Sequence, residues 1–261
     1  MTDYSALRAA AATLGVPLSA EAIERFARFA EILREWNARL NLTAIDDLTA
    51  IERLHFIDAL VGLRAIPSEQ GPRVIDVGTG GGLPGLALRI ARPDIRLTLL
   101  DATAKKARYL EVVRDELGLG SSPVDDESPA GILGDGAVDR GNPVEILVGR
   151  AEDLGRDPRY RESWDVALAR ALAPMPVLVE LCLPLVRIGG RVIAWKKRDQ
   201  DDELQVSGRA VSILGGRRLP IVSADLAELP ADRALFVVAK ERPTPKGYPR
   251  LPGVPKKMPL V

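Results

Sequence analysis

From Ser19 onward the apolar residues Ile23, Phe26, Ala30, Leu33, Trp36 and Leu40 return every three or four positions, the period of one helix face. Ser19 is placed to cap that helix and Glu21 falls in its first turn, so an amphipathic helix is predicted to about Arg39. A second is predicted from Asp46 or Asp47 through Leu63, carrying Ile51, Leu54, Ile57, Asp58 and Leu60, and a short one over Tyr4 to Leu14. The polar break NLTAI, Asn41 to Ile45, predicts a tight connection between the two longer helices. Beyond residue 66 the period changes. Short β-branched or apolar runs, Val74 to Val77, Arg96 to Asp101, Val144 to Val148, Trp164 to Ala169 and RVIAWKK at 191–197, alternate with helical patterns. One such helix starts at Thr103 with Leu110, Val113 and Leu117 on its face; another runs from about Pro174 to Val186, up to Gly189-Gly190. This alternation predicts a parallel sheet with crossover helices. A helix from Gln200 to Leu214 and strand-like runs at Arg218 to Val222 and Ala234 to Ala239 follow.

The first of these strands runs into RVIDVGTGGGLPG, Arg73 to Gly85. Glycines there allow a tight turn with positive φ angles and let a ligand lie directly on the main chain. Pro84 suits a first helical turn. Gly80, Gly82 and Gly85 satisfy the dinucleotide pattern G-x-G-x-x-G, a weak signal when it stands alone. The acid Asp76 beside the loop disfavours a pyrophosphate and suits a ligand that is cationic nearby, such as S-adenosylmethionine. Asp101 lies 21 residues beyond Gly80, at the end of the neighbouring strand, where an acid accepts hydrogen bonds from ribose hydroxyls of either ligand. Five parallel strands, a final helix and a hairpin-like pair favour the methyl donor, because methyltransferases close their sheet with an antiparallel strand.

Charge narrows the partners. The 261 residues hold 36 basic and 36 acidic side chains, so nucleic acid must be met by local patches rather than by a polycation. Residues 240–261 carry six basic groups against one acid, with six prolines, which predicts an extended basic tail without helix, either solvated or touching phosphate. Residues 120–142 hold five acids against one arginine and little apolar periodicity, predicting a mobile acidic insertion. One histidine and one cysteine are too few for a zinc site, and Cys182 sits in an apolar run as a buried thiol. No apolar segment approaches the ~18 residues of a membrane span, so a soluble cytoplasmic chain is expected, with nothing that demands more than a monomer.

The motifs NLTAI, RLHFIDAL (Arg53 to Leu60), DVGTGGGLPGLAL, LLDATAKKARYL, GRAED, ARALAP and the ending TPKGYPRLPGVPKKMPL together resemble the ribosomal RNA small-subunit methyltransferase G family, also called glucose-inhibited division protein B. The resemblance runs from about Trp36 to the end; the acidic insertion and Lys197, where a glycine commonly stands, depart from it. It implies the α/β, Rossmann-like class I S-adenosylmethionine-dependent methyltransferase fold, with an N-terminal helical cap (1–66), a methyltransferase domain (67–240) and a basic tail (241–261). It further implies methyl transfer from S-adenosylmethionine to N7 of a guanine in 16S rRNA, on the RNA or the small ribosomal subunit. The family pattern puts Gly78 and Leu83 at the donor loop, Asp101, Ala102 and Thr103 at ribose and adenine, Ala151 and Glu152 beside the adenine ring, and Arg170 between donor and target. His55 and Arg170 are the candidates for chemistry. Lys196, Lys197, Arg198, Lys246 and Arg250 are the candidates for RNA, since cationic side chains read the N7 and O6 edge of guanine and its phosphates. A lone helical histidine is as readily structural as catalytic. Two other functions share parts of this pattern: an NAD-dependent oxidoreductase, which would use the same glycines and Asp101, and a non-catalytic RNA-binding module, which would use the tail.

Overall fold

The computed structural model describes residues 3–120, 142–198 and 201–261. Helix α1 (Ser5–Thr13) precedes α2 (Ala20–Leu40), which starts where the Ser19 hydroxyl accepts the Ala22 amide at 3.1 Å. Of the face predicted from periodicity, Ile23, Phe26, Ala30 and Leu33 are buried, joined by Phe29, while Trp36 and Leu40 are half-buried. The second predicted helix is continuous but not regular. Asp47 caps α3 (Leu48–Ile51), a π-helical turn occupies Glu52–Ile57, and α4 (Asp58–Leu60) passes into a 3₁₀ turn at Val61–Arg64. The wide turn carries Glu52 inward, where its Oε1 accepts the Leu7 amide at 2.9 Å and fixes α1.

Strands β1 (Arg73–Val77), β2 (Arg96–Asp101), β3 (Glu145–Val148), β4 (Trp164–Arg170) and β5 (Val186–Lys197) are parallel in the order β3-β2-β1-β4-β5. Strands β6 (Gly216–Arg218) and β7 (Val222–Ser223) both pair antiparallel with β8 (Arg233–Lys240), which itself lies antiparallel beside β5. The single strand expected at Arg218 to Val222 is thus two short ones. The crossovers are α5 (Gly85–Ala91), α6 (Ala104–Glu116), α7 (Ala151–Arg156) and α8 (Met175–Cys182), and α9 (Asp201–Val206) and α10 (Gly208–Ile213) precede β6. Thr103 is the N-cap residue just before α6, yet its side chain makes no capping hydrogen bond.

Three expectations change. Gly189 and Gly190 do not end a helix: β5 begins at Val186 and absorbs them in an irregularity of its pairing with β4. Gly189 has φ +85°, and a Cβ on Gly190 would lie 2.4 Å from the Asp165 carbonyl, so the strand needs both glycines to stay beside β4. The proline-rich tail is not free of helix, since α11 (Val254–Lys257) forms one turn on a buried Pro255. The acidic insertion predicted at 120–142 lies outside the described residues except for its two ends.

One buried apolar cluster runs from the N-terminal helices (Leu7, Phe26, Phe29, Phe56, Leu60) into one face of the sheet (Val74, Leu99, Val166, Ile193, Leu235). A second covers the opposite face, with Ile75, Ala167, Val179, Cys182 and Phe236. Cys182 is a buried thiol, its pKa pushed up by burial. Phe56 anchors the first cluster, with its ring 4.9 Å from Phe26 and 5.4 Å from Phe29. Phe56→Ala is expected to cost about 3–5 kcal/mol in a urea titration. Because the cluster is continuous, the helices and the sheet should lose stability in one shared transition, followed by far-UV signal and by Trp195 fluorescence.

Candidate functional site

The carboxyl ends of β1, β2 and β4 meet where the strand order turns back on itself, the usual place for a ligand on an open parallel sheet. Asp76 closes β1 from within. It is buried; Oδ2 accepts the Thr79 hydroxyl at 2.7 Å and the Gly85 amide at 2.9 Å, while Oδ1 has no partner, and burial pushes the acid up to about 6. The acid expected to greet a cationic ligand therefore works inward, tying both ends of the glycine loop to the strand. Gly85 must lack a side chain because its Cβ would stand 2.9 Å from that Oδ2. Pro84 sits just before α5 rather than inside it.

Asp101, at the end of β2, faces the same loop. Its Oδ2 accepts the Gly80 amide at 3.2 Å and its Oδ1 the Thr103 amide at 2.9 Å, with Lys106 Nζ 3.8 Å away. After Arg170 the chain turns through Ala171 at φ +54°, bringing Leu172 back over Gly78. Gly78 has φ +70°, and a Cβ there would meet Leu172 Cδ1 at 2.6 Å.

Two clefts share Gly78. The first, of about 410 Å³, is mostly apolar and is walled by Val77, Ala102, Ala151, Glu152, Leu172 and Pro255 among others. The second, of about 440 Å³, is polar and lies between the N-terminal helices and the glycine loop, bounded by Thr43, His55, Asp58, Leu83, Lys106, Arg170 and Arg233. The predicted donor residues divide accordingly. Ala102, Ala151 and Glu152 line the first cleft, Leu83 and Arg170 the second, and Gly78 belongs to both. Asp101 and Thr103 line neither cleft.

Within the polar cleft the side chains form a chain of contacts. Arg170 Nη1 pairs with Asp58 Oδ2 at 3.2 Å, and Arg233 Nε stands 3.6 Å from Asp58 Oδ1. Asp58 is 3 % exposed; burial pushes its carboxyl upward and the two guanidinium groups oppose that shift. His55 Nδ1 lies 3.3 Å from Arg170 Nη2 and 3.2 Å from the Leu54 carbonyl, and its Nε2 is hydrogen-bonded to the Thr43 hydroxyl at 2.8 Å. Burial, reinforced by Arg170, lowers the His55 pKa to about 4, so the ring is neutral near pH 7. Thr43 is fixed in turn, its Oγ1 accepting the Ile45 amide and its own amide bonding Asn37 Oδ1. Thr43, Asp58, Lys106 and Arg233 were not singled out from the chain. Thr43, Asp58 and Lys106 did lie inside the quoted motifs NLTAI, RLHFIDAL and LLDATAKKARYL, and Asp58 also among the residues of the second predicted helix.

The cationic residues proposed for RNA do not form one surface. Lys196 is mostly buried and pairs with Glu203 at 2.6 Å, with a further bond to the Ala173 carbonyl. Arg250 grips Glu180, which is fully buried, through Nε and Nη2 at 2.8 and 2.6 Å. In each case a carboxylate takes up the charge, Glu203 partly exposed and Glu180 fully buried. Lys197 lies 3.5 Å from Asp232, Arg198 contacts Ser223 and Asp225, and Lys246 is exposed on the tail. Among the described residues there is no group of three or more histidine, cysteine or acidic side chains able to hold a metal, and no helix long and apolar enough to cross a membrane.

Comparison with known proteins agrees with this geometry. The chain is 41 % identical over 249 residues to a ribosomal RNA small subunit methyltransferase G from Symbiobacterium thermophilum, covering 95 % of this chain and 94 % of that protein. It is 40 % identical over 246 residues to the protein of the same name from Moorella thermoacetica, covering 94 % and 93 %. A solved complex of the Haloferax volcanii Trm112 methyltransferase activator and a putative methyltransferase contains a chain of similar fold, with TM-score 0.50 and 15 % identity over 80 % of this chain and 98 % of that one. The family model for rRNA small subunit methyltransferase G matches residues 22–127 and 139–230, and the chain belongs to that family.

Proposed function

We propose that this protein transfers the methyl group of S-adenosylmethionine to N7 of a guanine in the 16S rRNA of the small ribosomal subunit. The observation that carries the reading is the pair of clefts meeting at Gly78, one apolar and one polar, in a chain of this family. The residues fit the donor: the strained glycine leaves bare backbone where a side chain would intrude, and the apolar cleft is of a size usual for small-molecule sites. Gly78, Ala102, Ala151 and Glu152 would hold its adenosyl half, with Leu83 and Arg170 toward its amino-acid half. The bound donor supplies a methyl group on a positively charged sulfur, already electrophilic.

The polar cleft takes the guanine. N7 bears a free lone pair and loses no proton on attack, so no general base is needed. His55 serves instead as a fixed link between Thr43 and Arg170, holding the guanidinium against Asp58. Cationic donors at this cleft favour a base edge with acceptors at N7 and O6 over one carrying an amino group. The work of the chain is to position two reactants and exclude water. A single copy carries both clefts, so it acts as a monomer, in the cytoplasm where ribosomal subunits are found.

The direct test is incubation with radiolabelled S-adenosylmethionine and small subunits lacking the modification, followed by mapping of N7-methylguanine through cleavage at the modified base. One labelled guanine in 16S rRNA is expected; donor binding without label would send the search to another acceptor. In the same assay Gly78→Asp should reduce incorporation to background and abolish donor binding by calorimetry, because its side chain enters the space of Leu172 and adds strain at φ +70°. An active, donor-binding variant would refute the cradle.

His55 yields a second check, on stability. Its pKa falls from 6.5 when unfolded to about 4 when folded, so between those values the unfolded chain binds the additional proton and stability declines as pH drops. Asp76, raised to about 6, pulls the other way and is present in both proteins compared. The difference in urea midpoint between wild type and His55→Gln should therefore shrink from pH 7 to pH 4. A constant difference would mean that His55 titrates normally.

A further inference from the structure

The segment from Thr244 to Lys257 is bound to the body at every few residues. Arg161 gathers it by donating to the carbonyls of Thr244 at 2.6 Å, Pro245 at 3.3 Å and Tyr248 at 2.7 Å. Arg156 holds the Pro249 carbonyl at 3.1 Å, and Pro249 packs where Gly155 of α7 lacks a side chain. Glu162 accepts the Thr244 amide at 2.7 Å and also pairs with Lys240, which is fully buried. Arg250 on Glu180 is the last of these anchors. A tail meant only for phosphate would keep its charges in water, whereas Lys240 and Arg250 spend theirs on internal carboxylates.

Beyond Arg250 the chain reaches the apolar cleft. The Gly253 amide donates to Glu152 Oε1 at 3.0 Å, and Gly253, buried Pro255 and Lys256 line that cleft opposite Gly78, Ala102 and Ala151. Gly253 has φ +82°, which turns its N–H toward Glu152 at a conformation other residues avoid. The bond fixes the rotamer of a carboxylate that the donor reading sets beside the adenine.

We infer that Gly253 to Lys256 form the outer wall of the donor site and bind the adenosyl half of S-adenosylmethionine and of its product, S-adenosylhomocysteine. This rests on the methyl-donor reading of the cleft. Pro255 supplies apolar surface to the nucleoside, and Gly253 positions Glu152; neither takes part in the chemical step.

The test compares the full chain with a chain ending at Leu251, which keeps every anchor up to Arg250. S-adenosylhomocysteine binding is measured by calorimetry and melting is recorded without ligand. Removal of the wall should weaken binding by about tenfold or more and raise KM for the donor with little change in kcat, since contacts made equally to ground state and transition state are lost. Equal affinity of the two chains would overturn the wall. Should the shortened chain fail to fold, hydrogen exchange on the full chain decides: S-adenosylhomocysteine should slow exchange at the amides of 253–257, and unchanged exchange there overturns the inference. If the full chain binds neither donor nor product, the methyl-donor reading falls, and the wall with it.

Discussion

The site depends on one buried carboxylate. Asp58 leaves the N-terminal helices and meets Arg170 from the end of β4 and Arg233 from the start of β8, while its own carbonyl accepts the Trp195 indole N–H at 2.8 Å from β5. Three strands and the helical layer thus converge on a single residue. Two cations around one desolvated anion hold together only as a set, because loss of a partner leaves a charge buried without compensation. The polar cleft is the space left around that set. His55 and Thr43 extend it toward the glycine loop without adding charge.

The two clefts differ in the physics they offer. The apolar one encloses a ligand by surface and needs few polar contacts, so its key residues are small: Gly78, Ala102, Ala151 and Gly253. The polar one presents hydrogen-bonding side chains that are themselves held, each fixed by the next. Gly78 is common to both, and a Cβ there would meet Leu172 of the apolar cleft. Asp76 and Asp101 secure the loop from below, each through an amide of the glycine segment.

Much of the fold was legible because its signals are local. The period of α2, the alternation of strands and helices, the glycine loop and the acid ending β2 each sit within a few residues. What escaped is written across the chain. Arg170 and Asp58 are 112 positions apart, and Arg250 and Glu180 are 70 apart, so no window of sequence says that these charges cancel. Lys196 and Arg250 therefore looked like surface cations. The tail misled for the same reason: its prolines predicted an extended chain correctly over most of its length, but not that Arg161 would collect its carbonyls. Gly189-Gly190 was read as punctuation between elements, when the close approach of β4 makes it part of a strand.

The π-helical turn at Glu52–Ile57 carries a consequence for how such a site changes over time. One wide turn lets Glu52 point back to α1 while His55 and Asp58, only three and six residues later, face the cleft. Loss of a single residue from that turn would convert its wide i→i+5 pattern to ordinary i→i+4 bonding and change which of Glu52, His55 and Asp58 share a face. Individual side chains there can be exchanged and tested one at a time. The turn is therefore constrained in length as well as at Glu52, His55, Phe56 and Asp58, whose contacts depend on its register.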